Sequence, residues 1–236
     1  MDVFEEARRL GHEYRLDTLL ARAIAMSAGF RMDIFNFARA ESLAQEAREL
    51  ARSSNFSPPA VSAGIDLLLN YARRHEAGRA DSLIDEVASV AEQTSGFHGW
   101  LWKIRLAEAR AELALARNAP EEALRWAGEA IEQSRERGRV KYQVVALTTR
   151  AQALIDLART KEAITDLRAA VTLARPTEDL ALFVRAAAGL LAIDGDDALA
   201  NEAQAVVDRI AEGLLDPNMR LQFERAEPTR LVSKRT

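Results

Sequence analysis

The chain has 236 residues, 48% hydrophobic and 29% charged, which suits a folded chain with a continuous core and excludes one disordered throughout. Its formal net charge is -4, with acids and bases interleaved as in Arg135-Glu136-Arg137, so no basic face for direct nucleic-acid binding is expected. It contains no cysteine, which removes disulfides, thiolate nucleophiles and cysteine-based zinc sites together and agrees with a cytoplasmic setting.

The first residues, Met1-Asp2-Val3-Phe4-Glu5-Glu6, are acidic where a secretion signal needs a basic start. A short helix carrying Val3, Phe4 and Leu10 is expected there as an end cap. Five helix pairs follow in the hydrophobic pattern. They are predicted at 14–32 and 37–53, 58–76 and 78–94, 98–117 and 120–136, 140–158 and 160–175, and 178–193 and 196–213. In the fourth pair Val144, Val145, Leu147, Ala151, Leu154, Ile155 and Leu157 recur at helical spacing. No stretch alternates with period two, so no strand is expected. No window approaches eighteen uncharged apolar residues, so neither is a membrane span.

Local chemistry marks the boundaries. Pro58, Pro59 and Pro120 suit first helical turns, where a missing N–H costs little. Thr160 is expected to cap the helix that follows it, while Gly138 and Pro176 end helices. Asp216 and Pro217 open a short terminal helix. Residues 1–225 are read as one domain and 226–236 as a tail.

The pairs resemble one another. Ala40, Ala80, Ala123 and Ala163 each open a similar second helix, and Ala198, with Ala205 seven residues on, gives a fifth, weaker copy. Their spacings, about 40, 43, 40 and 35 residues, fall among the periods of helical repeats. Short loops make successive helices antiparallel.

Residues 147–176 resemble a tetratricopeptide repeat through Ala151, Ala158, Ala163, Ala170 and Pro176. The 104–136 copy matches through Ala111, Ala123 and Ala130, and the 22–53 copy through Asn36, Phe37, Ala40 and Ala47. The period is near 40 rather than 34, and Leu or Ala replaces most of the family's aromatic positions. The long period resembles the helical domain of bacterial signalling ATPases and of maltose-activator-type transcription regulators. The resemblance implies an all-α, right-handed α-solenoid of about five antiparallel helix pairs with short terminal helices. It also implies a groove lined by the first helix of each pair. Arg73, Arg105, Glu108, Glu112, Thr148, Gln152 and Asp156 would line it at the surface, with an acidic bias suited to a basic peptide or helix.

Chemistry-bearing motifs are sparse. His12, His75 and His98 lack ligand partners at metal spacing, and the Asp194-Gly195-Asp196-Asp197 run lacks the spaced ligands of a calcium loop. No phosphate-binding Gly-Lys-Ser/Thr loop occurs. No catalytic residue, metal site or cofactor is assigned. Gly96-Phe97-His98-Gly99-Trp100-Leu101-Trp102 is the most unusual stretch. It reads as a turn followed by core rings, or as an exposed aromatic anchor at Trp100 or Trp102. The two are two residues apart, so at most one can be core if both are helical. The leading expectation is a protein or peptide partner held by a repeat scaffold, with no membrane. A small-ligand sensor with a pocket near Trp100 or Trp102 is the alternative, and an uncapped end leaves a homodimer open.

Overall fold

A computed structural model describes residues 3–234. α1 (Val3–Glu13) precedes five successive pairs. These are α2 (Asp17–Asp33) with α3 (Phe37–Ser53), α4 (Ser57–Arg73) with α5 (Asp81–Gln93), and α6 (Gly96–Ala116) with α7 (Pro120–Glu136). Next come α8 (Val140–Asp156) with α9 (Thr160–Ala174), and α10 (Leu180–Ile193) with α11 (Asp197–Gly213). Two short helices, α12 (Pro217–Arg225) and α13 (Glu227–Ser233), complete the chain. No strand occurs among the described residues, so the protein is an all-α helical repeat.

Two compact units divide at Ala109 and Arg110, within α6. In the first, α1 packs on α2, α2 on α3, α3 on α4 and α4 on α5, while α4 also touches α2. In the second, α7 packs on α8, α8 on α9, α9 on α10 and α10 on α11, while α10 also touches α8. Contact with the next helix and the next but one is the packing of a repeat array.

The turns share one design. Arg15, Phe35, Asn55, His75, Gly96, Asn118, Gly138, Ala158 and Glu178 all have positive φ, and successive members stand 20, 21 or 22 residues apart. After seven of them the next N–H donates to the carbonyl five residues back: Leu16 to Gly11, Asn36 to Arg31, Phe56 to Ala51, Glu76 to Tyr71, Ala119 to Ala114, Arg139 to Ser134 and Arg159 to Leu154. Each bond is 2.8–2.9 Å long and ties off a carbonyl that the helix end leaves unpaired.

These turns set the boundaries that differ from expectation. Helix 14–32 begins only at Asp17, because Arg15 turns the chain. Helices 58–76 and 140–158 stop at Arg73 and Asp156, ahead of the turns at His75 and Ala158. Helix 178–193 begins at Leu180, where Asp179 caps it by accepting from the Leu182 N–H at 3.1 Å. Thr160 is the first residue of α9 rather than its cap, and no side chain caps that helix. A 3-10 turn, Ala77–Ala80, delays α5 to Asp81. α3 and α7 match their expected bounds, and Asp216 caps α12 through the Asn218 and Met219 N–H groups.

Ala40, Ala80, Ala123 and Ala163 are buried, as close helix crossings require. The fifth anchor is misplaced in the sequence reading. Ala198 and Ala205 are exposed, and Ala200 and Val207 are buried instead. Ala200 is the fourth residue of α11, just as Ala40, Ala123 and Ala163 are the fourth of theirs. The segment expected as a tail also differs. α13 packs on α10 and α11 and buries Thr229 and Val232. α10 explains this, because Leu182, Phe183, Val184, Ala186, Ala187, Ala188, Leu190 and Leu191 are buried around most of its circumference. A helix that is apolar nearly all round needs cover on every side.

Candidate partner-binding surface

In the first unit, the first helices of successive pairs are joined by polar contacts. Arg105 on α6 donates to Asp66 on α4 at 2.5 Å, and the Trp102 Nε1–H donates to the Ser62 hydroxyl at 3.1 Å. Burial pushes the Asp66 carboxyl above the ordinary aspartate range, and nearby Asp33 adds to this; Arg105 and Arg73 oppose it. Arg73 and Arg105 are half-buried. Glu108, expected on the surface, is buried at 3% exposure.

In the second unit Glu112 is likewise buried, at 7% exposure, and accepts from Arg185 on α10 at 2.8 Å. Thr148 is half-buried, and its hydroxyl donates to the Val145 carbonyl at 2.6 Å. Gln152 and Asp156 are exposed and bonded to each other at 2.9 Å. Of the seven expected groove residues, only these last two face solvent fully. Arg105 and Glu112 are drawn into ion pairs with Asp66 and Arg185, and Glu108 lies inside the packing.

The aromatic stretch sorts by helical phase. Trp102 is a core ring at 2% exposure, which removes it as an exposed anchor, and Trp100 is half-buried. Phe97 is the exposed ring, packed edge-on to Trp100 with centroids 5.1 Å apart. His98 sits 5.3 Å from the Trp102 ring. Its place among aromatic rings gives it packing work.

Two features went unread in the sequence. Leu10, Tyr14, Leu16, Leu19 and Met26 form an exposed apolar set on α1, its turn and α2. Leu19 and Met26 stand seven apart with Arg22 between them, a stripe on one helical face. The second feature is a cleft of about 240 Å³ formed by Ala51, Phe56, Ala60, Val61, Val87 and Val90, with Arg52 and Glu86 at its rim. Arg52, then Arg48, hold the Glu86 carboxyl below the ordinary glutamate range.

Among the described residues, no three His, Cys, Asp or Glu side chains are grouped to hold a metal ion. No described helix is long and apolar enough to cross a membrane. No protein-family model matches the chain, and no curated protein matches it.

Proposed function

We propose that this chain is a protein-interaction module of tetratricopeptide-like geometry, working in the cytoplasm as the helical-repeat part of a bacterial signalling or transcription-regulatory system. The observation that carries the reading is the apolar set Leu10, Tyr14, Leu16, Leu19 and Met26, exposed along α1, the turn after it and α2. Exposed apolar side chains that gather in one region favour a protein partner over solvent. Gln152 and Asp156, solvent-facing on α8, add polar contact points in the second unit. The test is affinity capture from native lysate, read by mass spectrometry, with wild type beside Leu19→Glu/Met26→Glu and Gln152→Lys/Asp156→Lys chains of unchanged helicity. A partner held by wild type and lost by one variant supports the reading. The same retained set for all three chains, or none for wild type, defeats it.

A second reading is a small-ligand sensor, favoured by the cleft around Phe56, Val61, Val87 and Val90 rather than by a pocket at Trp100 or Trp102. An apolar ligand seated there would raise the unfolding midpoint in a thermal-shift panel and lose its effect in Ala60→Phe. No shift at millimolar ligand would count against it.

A further inference from the structure

The forty-residue register identifies what α1 is. Its end at Glu13 stands forty residues before the end of α3 at Ser53, and α3 ends forty before α5 at Gln93. The turn after it repeats as well: Arg15 and Asn55 both have positive φ, and the Leu16 and Phe56 N–H groups both bond the carbonyl five back. α1 is therefore in the register of a second helix. Among the described residues no first-type helix lies ahead of it.

That register predicts which side chains should be covered. Val3 is 80% exposed, while its counterparts Leu43 and Leu83 are buried. Ala7 is half-buried against buried Ala47 and Val87, and Ala23 is half-buried against buried Ala63 and Leu106. Leu19 is 55% exposed, while its counterparts Pro59 and Trp102 are buried. Hydrogen bonds fix the direction these positions face. Trp102 bonds Ser62 of the preceding first helix, and Asn70, the counterpart of Phe30, bonds the Phe37 carbonyl and contacts Met32 of the preceding pair. Leu19 thus faces the place of a preceding first helix, while Phe30 packs on the Phe4 ring of α1 with centroids 6.0 Å apart.

We propose that the α1–α2 end of the first unit binds an amphipathic α-helix of about seventeen residues, the length of α2 and α4, laid antiparallel to α1. This site deepens the interaction reading and rests on it. The surface corresponds to the one that α3 and α4 present to α2 inside the unit, with the same positions turned outward. The occupant carries leucine or isoleucine at i, i+3/i+4 and i+7, the spacing of an apolar helix face. Gly11 closes the other side of α1, where it is buried and a Cβ on it would lie 3.0 Å from the Leu20 Cβ of α2.

The test uses the full chain in two forms. In one, a fluorescent peptide of residues 140–156, the sequence of α8, is titrated against it. In the other, residues 140–163 are fused ahead of Met1, which puts a first-type helix and its Ala158 turn in register with α1. Saturable peptide binding, or slowing of α1 and α2 amide exchange by about tenfold in the fusion, supports the site when Val3→Glu/Leu19→Glu abolishes it. Absence of both effects overturns it. A dimer of the unextended chain that Leu19→Glu dissociates also overturns it, because the occupant is then a second copy. A lysate partner kept by Leu19→Glu but lost by Gln152→Lys/Asp156→Lys overturns this site while leaving the interaction reading standing.

Discussion

Arg185 on α10 donates to buried Glu112 on α6 at 2.8 Å, across 73 residues of chain and past the intervening α8. A buried carboxylate is tolerated only with such compensation. Arg185→Leu is expected to destabilise the protein by about 1–3 kcal/mol in urea unfolding. Arg185→Leu/Glu112→Leu should recover part of that loss. A single variant as stable as wild type would show that the pair contributes nothing.

Two carboxylates give opposite pH dependences. The Glu41 carboxyl is held below its ordinary value of 4.5, first by the Arg79 hydrogen bond and also by Arg74. Its folded value is the lower one, so its stabilisation is present above 4.5 and fades as pH falls through the depressed value. Glu41→Gln should lower the urea midpoint at pH 7 and flatten its decline below pH 4.5.

Asp66 has the reverse sign. Burial raises it above 3.8, so its contribution is full below 3.8 and is lost as pH rises through the raised value. Removing it in Asp66→Asn removes a term that favours folding on acidification. The variant should therefore lose stability more steeply than wild type from pH 7 to pH 4. Parallel profiles would contradict this.

Gly138 and Ala158 occupy equivalent turns at φ 63° and 59°. The left-handed conformation costs an L side chain roughly 1–2 kcal/mol, while glycine adopts it freely but loses more entropy on folding. Ala158→Gly is expected to raise the thermal midpoint and Gly138→Ala to lower it. Midpoint changes of one sign in both would refute a turn-specific cause.

A Cβ on Gly99 would stand 2.1 Å from the Thr94 carbonyl oxygen. Backbone on both sides leaves little room to relax. Gly99→Ala should cost about 1–3 kcal/mol by overpacking, with faster amide exchange at the start of α6. Wild-type exchange rates there would mean that the turn moves freely.

The fold was legible where period and boundary chemistry agreed. Pro120 and the Ala123–Ala130 spacing placed α7, and Phe37 with Ala40 placed α3, each at its observed bounds. The start of α2 and the ends of α4 and α8 slipped because the side chains of Arg15, His75 and Ala158 give no sign of the positive φ that their turns impose. The fifth anchor slipped because the sequence offers Ala198, Ala200, Ala203 and Ala205 within one helix, and only packing selects among them. The candidate surface was less legible. Glu108 and Glu112 look like solvated polar positions, and their burial depends on partners outside the local pattern, such as Arg185. The exposed Leu19 and Met26 went unread because helical period alone does not show whether a neighbouring helix is present.

A left-handed residue at nearly every twentieth position makes the chain interchangeable with itself. Removing residues 119–158 would join Asn118 to Arg159, so that one positive-φ turn replaces another and α6 runs on into α9 through a junction of unchanged hydrogen-bond pattern. Such a chain could gain or lose whole pairs by duplication or excision without inventing a new loop, since the seven turns with the five-back bond share one backbone geometry.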